Sequence, residues 1–205
     1  MPLMQFLLQI VPLTSLAVIS TLIGIIVSPP ALASELAFLL LFIDLLLFVA
    51  LITFKRVSGW NVFLLLGFAV VVGILLRGFA PSELTRSWGS IVLTIGVLVL
   101  AAAVGRVLRG RTKWVGIGVG FASWAYLVGW GLIAVLGLKS LPQTLWAGVG
   151  LMIFGGLSAL WFSELGQHHD KDSSVALSIE LYIFILNLTL TAQVIIRGIS
   201  LGFTT

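Results

Sequence analysis

The chain has 205 residues, 60% of them hydrophobic and only 9% charged. A water-soluble domain devotes about a quarter of its residues to Asp, Glu, Lys and Arg, so this chain cannot cover its own surface in water, and lipid is the solvent that suits it. Its net charge of +4 comes from eleven basic residues scattered through short connections, which excludes a nucleic-acid-binding patch, and the lack of cysteine excludes disulfides, thiolate nucleophiles and Cys-based metal or iron–sulfur sites.

Crossing a bilayer takes roughly 20 apolar residues as a helix, and seven stretches meet that need. The first runs from about Gln5 to Val27 and stops at Ser28-Pro29-Pro30, because proline lacks a backbone donor and disfavours helix before it. Ala31-Leu32-Ala33 resembles a signal-peptide cleavage site. No Lys or Arg precedes the apolar run, however, and the run exceeds a signal-peptide core, so it is expected to remain as the first membrane helix. The second span starts at Ser34, a suitable cap, reaches about Phe54 and is punctuated by Lys55-Arg56. The third covers Asn61 to Leu76, closed by Arg77 and the loop through Pro81-Ser82-Glu83. The fourth runs from Trp88 to Val107, the fifth from Trp114 to Leu138 and the sixth from Leu145 to Phe162. After the polar connection Glu164 to Asp172, the seventh starts near Ser173, capped by Asp172 or Ser173, and ends near Ile196.

The expected fold is therefore all-α, a polytopic membrane helix bundle of about seven spans, with residues 1–205 forming a single transmembrane domain. Lys55, Arg56, Arg106, Arg109, Arg111, Lys113 and Lys171 fall on one side, and Arg77, Arg86, Lys139 and Arg197 on the other. Basic residues favour the cytoplasmic side. The expectation is a multi-pass protein of the inner (cytoplasmic) membrane, amino terminus inside and carboxyl terminus outside.

Polar groups inside apolar helices carry the functional information, since an ionisable group deep in lipid costs at least about 2.5 kcal/mol. Asp44 lies mid-way along the second span in Leu-Phe-Ile-Asp-Leu-Leu-Leu-Phe. It reads either as an ion- or proton-handling carboxylate or as an interhelical structural bond. Glu180, Asn187 and Thr191 share one face of the seventh helix, a seam that either lines a pathway or fixes packing. Glu164 ends the sixth helix near the membrane surface. His168-His169-Asp170 has metal-capable side chains, but adjacent loop residues seldom converge on one ion, and no metal site is expected; a pH response suits the histidines better.

Gly116-Ile-Gly-Val-Gly120 lacks the Lys-Ser or Lys-Thr of a phosphate loop and lies within a span, so it reads as helix packing. Trp60, Trp88, Trp114 and Trp146 stand near helix starts, as interface anchors do. Neither Gly-x-Ser-x-Gly nor His-Glu-x-x-His occurs, and no lysine lies within the seventh helix to hold retinal. Neither an enzyme nor a cofactor-binding protein is expected.

The stretch Ser178-Ile-Glu-Leu-Tyr-Ile-Phe-Ile-Leu-Asn-Leu188 resembles the last-helix signature of the Bax inhibitor family of seven-helix membrane proteins, Ala-Leu-x-Leu-Tyr-Leu-Asp-x-x-Asn-Leu-Phe. Leu181, Tyr182, Asn187 and Leu188 fall in register, and Phe154-Gly155-Gly156 is similar to the Phe-Ser-Gly of the family's sixth helix. The resemblance implies a calcium or proton leak gated by an aspartate pair that senses pH. Those two aspartates align with Phe184 and, without a gap, near Trp161; the nearest carboxylates here are Glu164 and Glu180, each about one helical turn away. Two facing carboxylates cannot both ionise cheaply, which makes such a pair sensitive to pH. The expected function is a pH-sensitive cation (calcium) or proton leak, with Asp44, Glu180 and Asn187 along the path and Glu164 at its cytoplasmic mouth. The alternative is an accessory or structural subunit of a larger membrane complex. Lipid bilayer, a cation or proton, and membrane-complex partners are the expected contacts.

Overall fold

The structure, a computed structural model, describes residues 6–29, 35–54, 60–79, 88–108, 112–138, 141–168 and 174–202. Among them it is all-α. A π-helical turn, Phe6–Ile10, leads into α1 (Val11–Val27), followed by α2 (Ala37–Thr53), α3 (Trp60–Phe79), α4 (Trp88–Val107), α5 (Thr112–Val135), α6 (Leu141–His168) and α7 (Ser174–Gly202). The chain is a polytopic membrane helix protein. Six of these helices are long and apolar enough to cross a bilayer, and α2 contributes a shorter apolar run, Phe38–Leu51. Its large apolar side chains point outward into lipid: Phe38 is 94% exposed, Phe63 73% and Trp124 73%.

Local chemistry sets several helix ends. At the end of α1 the Ser28 N–H still reaches the Gly24 carbonyl, but the Ser28 backbone is already extended ahead of Pro29. Gly137 closes α5 in the left-handed conformation, φ +64°, and the Leu138 N–H turns back to the Ile133 carbonyl at 3.1 Å, a Schellman closure that favours glycine. The sixth helix starts earlier and ends later than hydropathy suggests. Pro142 falls in its first turn, where a missing N–H costs nothing, and Glu164 and Gln167 lie within the helix rather than in a loop. The last helix likewise runs on past Arg197 to Gly202. The expected caps Ser34, Asp172 and Ser173 lie outside the described residues.

The contacts divide the chain into two compact units, Met1–Arg86 with Gln167–Tyr182, and Ser87–Gly166 with Ile183–Thr205; α7 passes from one to the other. In the first unit α3 packs against both α1 and α2. Gly24 and Gly73 make the α1–α3 crossing: a methyl group on Gly24 would fall on the Val70 carbonyl and within 3.1 Å of the Gly73 Cα, and one on Gly73 would fall on the Thr21 carbonyl. Lipid tails are as apolar as leucine, so close backbone approach and the dispersion it allows hold such helices together.

The start of α7 runs parallel to α1. Ser174 meets Gln9, Ser178 meets Ile10 and Thr14, and Tyr182 meets Thr21, so residue numbers rise together. Two parallel spans need an odd number of crossings between them. With α3 to α6 each crossing, α2 must cross as well. Its 17 residues extend about 25 Å at helical rise, somewhat short of the roughly 30 Å hydrocarbon core, a mismatch that local thinning of the bilayer accommodates.

In the second unit, Gly105 of α4 lies against the Ala159 carbonyl and Phe162 of α6. Between α5 and α6 the contact is reciprocal. Tyr126 covers Gly150, Trp146 covers Gly129, and the two rings stack at 5.9 Å. The Trp146 indole N–H also donates to the Tyr126 carbonyl at 3.0 Å. This tryptophan joins two helices, whereas Trp60 at the start of α3 is 72% exposed and fits the interfacial role. The side chains of Trp88 and Trp114 lie outside the described residues. Gly116, Gly118 and Gly120 meet no atom within 4 Å at the Cβ position, so close packing in α5 falls to Gly129 instead.

Candidate functional site

The first unit gathers a polar cluster along the parallel α1–α7 contact. Ser174, Ser178 and Tyr182 recur every four residues and therefore share one face of α7. Ser174 donates to the Gln9 side-chain oxygen at 2.7 Å. The Ser178 hydroxyl lies 2.8 Å from the Ser174 carbonyl and 3.3 Å from that of Ile10, and Thr14 approaches the Ser178 carbonyl at 3.5 Å. One turn further, the hydroxyls of Thr21 and Tyr182 bond at 2.6 Å. Thr14, Thr21, Ser178 and Tyr182 are all buried. Hydroxyls satisfied this way are tolerated in lipid, where an unmade hydrogen bond is costly.

Asp44 belongs to the same unit. It lies mid-helix on α2 and is half-buried. One carboxylate oxygen, Oδ1, is fully buried without a hydrogen-bond partner. Phe48, one turn along the same face, contacts Phe68 of α3 at 5.9 Å between ring centroids, and Phe68 meets the Tyr182 ring edge-on at 6.2 Å. The reading of Asp44 as an interhelical structural bond is not met at Oδ1. Buried polar atoms are paired in the great majority of cases, and an unpaired one demands an explanation.

The other expected site residues are distributed between the units. Glu180 belongs to the first with Asp44, and Glu164 and Asn187 belong to the second. Glu164 and Glu180 are both half-buried on their helices. The Asn187 amide donates to the Ile183 carbonyl of its own helix at 2.8 Å, and Thr191 returns to the Asn187 and Leu188 carbonyls at 2.8 and 3.0 Å. This part of the α7 seam is thus bonded along its own backbone, the usual recourse of hydroxyl and amide side chains inside a helix. In this stretch the hydroxyl of Thr189 meets that of Thr94 of α4 at 3.3 Å. His168 ends α6; its side chain, with His169 and Asp170, lies outside the described residues.

Trp161 and Phe184, the positions where the resemblance expects an aspartate pair, meet edge to face with ring centroids 6.4 Å apart. They join α6 to α7 as an aromatic contact. Neither a family model nor a curated relative matches the chain.

The hydroxyls along the α1–α7 contact were not legible as a site from sequence. Thr14 and Thr21 lie seven residues apart on α1 and carry a signal only once α1 is known to face Tyr182.

Proposed function

We propose that the chain is a divergent, Bax-inhibitor-like protein of the inner membrane, amino terminus inside, that carries a pH-sensitive leak of protons or cations such as calcium. The observation that carries this reading is the Asp44 carboxylate, with one oxygen buried and unpartnered in an apolar helix. A carboxylate in that position costs stability, and intramembrane ionisable groups of this kind mark ion or proton paths. In the proposed path Asp44 is the central acid, with Glu180 in the same unit. The register of α1 and α7 supports the seven-span topology on which this orientation rests.

Reconstitution tests it. Proteoliposomes with a pH-sensitive or calcium-sensitive dye inside should show flux above empty vesicles, rising or falling with external pH, and Asp44→Asn should bring it down to the empty-vesicle level. Flux that Asp44→Asn leaves intact excludes Asp44 as the carrier.

One observation favours a second reading, a subunit of a larger membrane complex. An apolar groove of about 370 Å³ opens between α4 and α6, walled by Val97, Ala101, Met152, Gly155, Gly156 and Ala159. Small residues of this kind let another helix approach. Native sizing after mild extraction separates the two: fixed stoichiometric partners favour the subunit, and a monomer that conducts favours the leak.

A further inference from the structure

We draw no further inference here: the strongest candidate, the apolar groove between α4 and α6, carries none because nothing in the structure shows what covers it, and Arg106, in the last turn of α4, stands two residues past Val104 and so on the opposite face of that helix.

Discussion

Trp161 and Phe184 pack edge to face, 6.4 Å between ring centroids and 76° between ring planes, at the two places where the resemblance calls for facing acids. The contact between the sixth and seventh helices is therefore made by aromatic packing, with no charge to titrate at either position. Any pH response in this chain has to arise elsewhere, and among the described residues Asp44 is a carboxylate with a buried, unsatisfied oxygen.

Truncating either ring tests the structural weight of that contact. Phe184→Ala should lower stability by about 3 kcal/mol, the usual size of a large-to-small change in a packed site, and leave any flux per folded molecule unaltered. Phe121→Ala, at a ring 74% exposed to lipid, should shift the thermal midpoint very little. Equal midpoints for the two variants would show that the aromatic pair contributes no packing.

Asp44 makes an opposite forecast. Replacing it with leucine removes an unpaired buried oxygen, so Asp44→Leu should raise stability, by about 1–3 kcal/mol, as it removes flux. Gain of stability with loss of function is the signature of a residue kept for its chemistry. A drop in the unfolding midpoint of Asp44→Leu would mark Asp44 as a structural bond instead.

The glycine crossing of α1 and α3 should be intolerant in both directions. Gly24→Ala or Gly73→Ala places a methyl group on facing backbone, and overpacking of this sort costs about 1–3 kcal/mol. Gly67→Ala on the same α3 helix meets open space and should be neutral or stabilising, since alanine is the better helix former. The same tolerance is expected at Gly116, Gly118 and Gly120. Thermal unfolding in detergent of these single variants ranks them directly.

Parity makes the topology testable. Reporters fused in the connection after α1 and in the connection after α2 should read opposite sides of the membrane, and the two termini should also lie on opposite sides. Identical readouts on either side of α2 would mean that its apolar run does not cross, and the parallel register of α1 and α7 would then need an extra crossing elsewhere.

Removing the indole N–H with Trp146→Phe keeps a ring over Gly129 but deletes the bond to the Tyr126 carbonyl. A loss of about 1 kcal/mol is expected, visible as a lower midpoint. An unchanged midpoint would assign the whole α5–α6 contact to stacking.

Composition alone determined that lipid is the solvent, that the spans are helical and that the chain crosses many times, because transfer of backbone into hydrocarbon permits little besides helix. Pro29-Pro30 marked the end of α1, since proline acts on the backbone locally. Asp44 was equally plain, as a lone acid in an apolar run. The tertiary structure alone decided which face of each helix meets protein. Lipid and protein interior are almost equally apolar, so the amphipathic periodicity that orients a helix in a soluble protein fades here. For that reason Gly116 to Gly120 looked like a packing motif while Gly24 and Gly73 did the packing. It is also why the hydroxyls of Thr14, Thr21 and Ser178 formed one polar contact only when α1 and α7 were seen side by side.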